Sequence, residues 1–241
     1  MRLARQSDHS VGLEVGELEE LQGVNSQAEL ARAEQTFQKR KRKEFLDQGV
    51  SMIDPESVYL SFDTVLARDV VLEPHVFFGP DVSLEEGVQV KAFSHLEGVR
   101  AEKGVIIGPF ARLRPGTVLG EKSKIGNFVE VKKSTLGAHA KVSHLSYIGD
   151  ASLGDKVNIG AGTITCNYDG YKKHKTVIEE GVFVGSNTAL VAPVVLGKES
   201  MIGAGSVITQ DVPADDIAVA RAPQKNIRDG SKRFRSRHSK K

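Results

Sequence analysis

The 241-residue sequence predicts an all-β solenoid, a parallel β-helix of hexapeptide repeats preceded by an N-terminal α-helix. Three observations carry that prediction. Large aliphatic or aromatic residues recur every sixth position at Leu60, Leu66, Leu72, Phe78, Leu84, Val90 and Leu96. After a slip they resume at Ile107, Leu113, Leu119, Ile125 and Val131, then at Leu136, Val142 and Ile148, then at Leu153 and Ile159. A last series runs through Ile178, Val184, Leu190, Leu196, Ile202 and Ile208. Second, a small or β-branched residue stands four positions after each, as at Thr117, Ser123, Val129, Thr135, Val182, Thr188, Ser200 and Ser206. Third, hydrophobic residues make up 39%, with no tryptophan and 24 glycines, which is lean for a globular core but suits a narrow prism. A fixed six-residue period belongs to β-helices, whereas a helix repeats every 3.6 residues and a strand every two.

Taken in order, residues 1–24 show no clear pattern. Residues 25–50 read as a connecting helix. Ser26 and Glu29 have capping-box spacing, Leu30, Ala33, Phe37, Lys41, Phe45 and Leu46 form a thin stripe, and Gly49 is a stop signal. The cluster KRKRK at 39–43 reads as a solvated face. Residues 51–213 form the β-helix, about eighteen residues to a coil, with coils about 4.8 Å apart as in any sheet. Two interruptions stand out: a slip at 97–104 with a corner at Glu97–Gly98, and CNYDGYKKHK at 166–175. Excursions from a rigid repeat are where function concentrates. Asp211-Val212-Pro213 closes the solenoid, and 214–241 is a basic C-terminal arm. Flat faces and open ends predict a homo-oligomer.

Composition excludes several classes. The net charge is +2, but residues 221–241 carry nine Lys or Arg against one acid, Asp229. No aromatic platform accompanies that charge, which argues against nucleic-acid binding. A solvated, mobile end is its simplest reading, with the phosphates of an anionic ligand as another use. The lone Cys166 rules out an intrachain disulfide and suits a reducing compartment. No apolar run approaches the ~20 residues of a membrane span, and the N-terminus lacks a secretory apolar stretch. A soluble, cytoplasmic protein is expected.

Arg114 and Lys132 each follow an inward aliphatic and stand eighteen positions apart, so they stack in neighbouring coils. Like charges at about 5 Å repel unless an anion joins them, which predicts a phosphate site completed by Lys172, Lys173 and Lys175 of the loop. His144 sits mid-solenoid among Ser143, Ser146 and Tyr147, and an imidazole with a pKa near 6.5 suits general-base work. A lone histidine is nonetheless more often structural, and Glu130 is a candidate to orient this one. His75, His95, His139, His144 and His174 form no evident zinc set, so no metal is expected. Cys166 lacks a paired base and reads as a small buried residue.

The runs GPFARLRPG (108–116), IGNFVEVKK (125–133), SHLSYIGDA (143–151), VNIGAGTITCNYDGYKKHKT (157–176) and VFVGSNTALVAP (182–193) are more distinctive than generic hexads. Over residues 23–230 the chain resembles the C-terminal acetyltransferase domain of the bacterial bifunctional N-acetylglucosamine-1-phosphate uridyltransferase/glucosamine-1-phosphate acetyltransferases. That resemblance implies a left-handed coil, an exception to the right-handed crossover rule, and a homotrimer with active sites between subunits. It implies acetyl transfer from acetyl-CoA to the amine of glucosamine 1-phosphate, for UDP-N-acetylglucosamine and cell-envelope biosynthesis. By position His144 matches the general base. Arg114, Lys132, Tyr147, Asn158 and Lys173 match residues around the sugar phosphate. Ala161, Asn167, Tyr168, Ser186, Ala204 and Arg221 match residues lining the acetyl-CoA site, and a backbone N–H near Gly160–Ala161 is the candidate oxyanion donor.

One departure is large. The family's uridyltransferase domain is missing, residues 1–24 read as its remnant or linker, and only Asn25 in GVNS matches a residue that helps bind its magnesium. No uridyltransferase activity and no functional metal site are expected. Two alternatives stand beside this reading: a hexapeptide acyltransferase with another amino-sugar or hydroxyl acceptor, and a non-catalytic solenoid whose arm binds a polyanion.

Overall fold

The computed structural model describes residues 12, 14–16 and 21–238. Most of the 1–24 segment therefore lies outside the described residues. The first element is helix α1, Gln27–Asp47. Ser26 Oγ accepts the Glu29 N–H at 3.2 Å, satisfying one orphan donor of the first turn, and Glu29 Oε2 reaches back to accept the Asn25 N–H at 2.7 Å, just before the cap. Gly49, at φ +93°, ends the helix.

Helix α1 closes the lower end of the solenoid. Phe45 is buried there, and the side-chain amide of Gln38 mimics a strand neighbour. Gln38 Nε2 donates to Leu60 O at 2.7 Å, and Leu60 N–H donates to Gln38 Oε1 at 2.9 Å. A buried peptide group left unsatisfied would cost about 1–3 kcal/mol, so this one side chain protects an otherwise open sheet edge. Arg42 Nη1 reaches Val58 O at 3.1 Å. The 39–43 cluster is therefore only partly a solvated face, because its fourth residue turns onto the first coil.

Above the helix, three parallel sheets wind left-handed through about nine turns. The first face has ten strands, from Ser51–Met52 to Ile217–Ala218. The second has eight, from Phe77–Phe78 to Val207–Ile208, and the third eight, from Val65–Leu66 to Val194–Leu196. Every aliphatic or aromatic residue on the six-residue beat is buried. Turns are not uniform. Leu113 pairs with Val131, eighteen positions on, but Val131 pairs with Ile148 and Val142 with Ile159, seventeen on. The shorter turn corrects one expected position: Ser134 points inward and Thr135 outward. At the slip, Gly98 is left-handed at φ +58°, and a Cβ there would lie 2.6 Å from Pro115 Cα, so only glycine fits.

The 166–175 segment is an insertion in one turn, since Leu153 pairs with Ile178, twenty-five positions on. The solenoid's last strand reaches Ala218, slightly past the expected boundary at 213. The basic arm is not featureless: it ends in a second helix, α2, Gly230–His238. Along one corner Phe93, Phe110 and Phe128 stack at centroid distances of 4.9 and 5.2 Å while each stays about half exposed. Among the described residues no helix is long and apolar enough to cross a membrane.

Candidate active site

The corner between the first and second faces carries a column of predicted residues. Backbone hydrogen bonds climb it one coil at a time. Leu145 N–H donates to Asn127 O at 3.0 Å, Gly162 N–H to His144 O at 3.4 Å, Asn187 N–H to Ala161 O at 2.7 Å, and Gly205 N–H to Ser186 O at 2.8 Å. Arg221 folds back and donates from Nη1 to Ala204 O. His144, Ala161, Ser186 and Ala204 are thus stacked in successive coils, with Arg221 at the upper end. Above the imidazole the column is a track of small side chains, Ala161, Ser186 and Ala204, along the corner. Gly160 belongs to the same design, since a Cβ there would sit 2.5 Å from Ser186 N.

The backbone at this corner also supplies a donor. The Gly160 N–H is committed to Val184 O at 2.7 Å, and that of Gly162 to His144 O. Between them the Ala161 N–H has no acceptor among the described residues. Of the two expected oxyanion donors, Ala161 is therefore the available one.

His144 ends the strand Lys141–His144 and is exposed. Its Nδ1 lies 2.7 Å from Asn127 Oδ1, one coil below. The expected orienting residue, Glu130, does not fill that role. It is turned to the other edge of the second face, where Glu130 Oε1 accepts from Arg114 Nη1 at 2.8 Å with both side chains 36% exposed.

That second edge gathers the cations. Arg114 follows the strand Arg112–Leu113, and Lys132 ends the strand Glu130–Lys132 one coil above. The Glu130 carboxylate raises the Arg114 pKa above its ordinary value. Lys132 is shifted the other way: the neighbouring Lys173, then loss of hydration, then Arg114 lower its pKa, while Asp150 opposes them. Crowded cations with one partly spent on a carboxylate leave net positive potential, the condition for binding a phosphate. Sequence reasoning did not single out Asp150.

The loop that delivers Lys173 is held by its own acid. Asp169 Oδ1 accepts the N–H groups of Tyr171 at 2.7 Å and Lys172 at 2.6 Å, and Oδ2 lies 2.7 Å from His174 Nε2. The Lys172 N–H, then His174, push the Asp169 carboxyl far below the usual range. Tyr168 is bridged to Lys173, and its hydroxyl donates to Gly170 O at 2.6 Å. Asn167 is 7% exposed; its Nδ2 donates to Asp150 Oδ2 at 2.5 Å and sits 3.4 Å from the Tyr147 hydroxyl, so the amide braces the loop against the coil. Cys166 is half-buried rather than buried.

The predicted residues therefore separate onto two edges of one face. Arg114, Lys132 and Lys173 come together at one, and His144, Ala161, Ser186, Ala204 and Arg221 line the other. Tyr147 starts the strand Tyr147–Gly149 between them. Asn158 stands on the first face, in register with Lys141 and Phe183, and belongs to neither cluster. Among the described residues no group of three or more His, Cys, Asp or Glu is placed to hold a metal.

Residues 175–210 match the family model described as bacterial transferase hexapeptide (six repeats). The chain is 54% identical over 222 residues to the Bifunctional protein GlmU of Zymomonas mobilis, covering 92% of this chain and 49% of that protein. It is 56% identical over 205 residues to the Bifunctional protein GlmU of Agrobacterium fabrum, covering 85% of this chain and 45% of that one. The chain thus spans about half the length of the curated relatives it matches. Among solved structures, LpxA from Acinetobacter baumannii superposes with a TM-score of 0.51 at 18% identity over 74% of this chain and 76% of that one, a likeness of fold alone. Part of the solenoid thus matches a hexapeptide-repeat family model, and the chain matches the C-terminal half of the bifunctional GlmU proteins.

Proposed function

We propose that this chain transfers acetyl from acetyl-CoA to the amine of glucosamine 1-phosphate, giving N-acetylglucosamine 1-phosphate and CoA for UDP-N-acetylglucosamine synthesis. The observation that carries the reading is the corner column, where His144 lies one coil below the uncommitted Ala161 N–H. An ammonium is no nucleophile, so the amine must lose a proton as it attacks the thioester carbonyl, and the His144 imidazole takes it. The Ala161 N–H then faces the oxyanion that develops on that carbonyl. Arg114, Lys132 and Lys173 hold the acceptor's phosphate, and Glu130 keeps the Arg114 guanidinium in place. The small-residue track through Ser186 and Ala204 to Arg221 suits a slender thioester arm, with basic residues of the C-terminal arm toward the CoA phosphates.

A homotrimer acting in the cytoplasm fits the same reading. The half-exposed phenylalanine ladder is an apolar strip of the sort that copies of a chain bury against one another. The base and the phosphate-binding cations stand on opposite edges of one face, which gives a neighbouring subunit room to complete the site.

The test is release of CoA thiol by purified protein given acetyl-CoA and a set of acceptors. Rapid release with glucosamine 1-phosphate, and far slower release with glucosamine or a hydroxyl acceptor, is expected. Release with other acceptors alone favours a different hexapeptide acyltransferase, and none from folded oligomer excludes acetyl transfer.

A further inference from the structure

Among the described residues His144 has one side-chain partner, and it is an amide rather than a carboxylate. Asn127 ends the strand Lys124–Asn127, and His144 ends the strand above it, in direct register. The seventeen-residue turn between them stacks the two side chains and brings Nδ1 to 2.7 Å from Oδ1.

We propose that Asn127 is the positioning residue of His144: its side-chain carbonyl takes the Nδ1 proton and leaves Nε2 as the free base. The inference rests on the acetyl-transfer reading and deepens it. An imidazole without a fixed partner divides between two tautomers and turns about its bonds, so only a fraction of molecules presents a lone pair in the right direction. A carboxylate in the same place would also fix the tautomer, but it would stabilise the imidazolium and so withhold the base near neutral pH. An amide orients without adding charge. The titratable groups of the two strands, Lys124 and Lys141, sit at their far ends, and the flanking strands Ile106–Ile107 and Asn158–Ile159 carry none; on the next face Tyr147 stands above Glu130, whose carboxylate is paired with Arg114 at 2.8 Å. Asn127 is thus the group through which the fold sets the state of the ring.

The experiment compares wild type, Asn127→Ala and Asn127→Asp in two readouts. Ring-nitrogen NMR of His144 reports the tautomer without any turnover. Steady-state acetyl transfer from pH 5.5 to 9 reports the base. Wild type should show Nδ1 protonated in the neutral ring, and Asn127→Ala a mixture of tautomers. Asn127→Ala should lower kcat by about 10–100-fold, the scale seen when the partner that orients a metal-bound histidine is removed, with KM for both substrates within about two-fold. Asn127→Asp should retain kcat at high pH while the acidic limb of its profile moves up by about one to three pH units. The sign follows from the neutral ring being the active form: a stabilised imidazolium loses activity first as pH falls. A wild-type ring protonated at Nε2, or an Asp variant whose profile overlies wild type, overturns the proposal. Wild type with the Nδ1-protonated ring but no acetyl transfer overturns the functional reading and leaves the positioning intact.

Discussion

Replacing His144 with alanine should lower kcat by roughly 10²–10⁴-fold, the scale on which general bases contribute. The binding of acetyl-CoA changes little, because the ring sits at the foot of the track and contributes no phosphate contact. The residual rate reflects the Ala161 N–H and the held geometry of the two substrates, which remain. His144 is exposed and at a strand end, so the variant keeps its fold, and its melting temperature should match wild type. Near-normal turnover by a folded His144→Ala protein would make the histidine structural and remove the base from the account.

The second large effect is at Arg114. In the proposed reading its guanidinium meets the acceptor's phosphate, and in the structure it pairs with Glu130 at 2.8 Å. Arg114→Ala therefore removes an attraction and leaves an uncompensated carboxylate beside the phosphate. A hydrogen bond to a charged group contributes about 1.5–3 kcal/mol, so kcat/KM for glucosamine 1-phosphate should fall by about 10–150-fold. The loss should appear mainly in the acceptor's KM and scarcely in that of acetyl-CoA. Arg114→Ala/Glu130→Ala should recover part of it, because the repelling acid is gone as well, and the double-mutant cycle measures that coupling directly. An equal loss for glucosamine and for glucosamine 1-phosphate would mean that Arg114 does not read the phosphate.

Much of the fold was legible because a β-helix interior admits one large residue per short strand, which imposes a period that other architectures lack. The same period located the Arg114–Lys132 step, and the break in it located the loop. What stayed hidden depends on turn length. A coil of seventeen rather than eighteen residues is set at the corners, where ordinary side chains such as Phe128, Lys133 and Leu145 adopt positive φ without a glycine to announce it. Hence Thr135 looked inward where Ser134 is, and the partner of His144 was sought at Glu130 and not at Asn127, seventeen positions earlier. Asp150 stayed hidden because its role arises only when Asn167 is stacked one coil above it, whereas Asp169 braces the inserted loop locally, through the N–H groups of Tyr171 and Lys172. Gln38 was illegible for another reason: a side chain that replaces a missing strand leaves no periodic trace.

In the proposed reading one corner column and one cation edge together form an acetyl-transfer site. The most direct measurement is a crystal structure of the protein with CoA and N-acetylglucosamine 1-phosphate bound. The thiol should lie beside His144 and Ala161, the CoA arm should climb past Ser186 and Ala204 toward Arg221, and the phosphate should meet Arg114, Lys132 and Lys173 of the same or a neighbouring subunit. CoA bound away from the column, or a phosphate held by other residues, would contradict it.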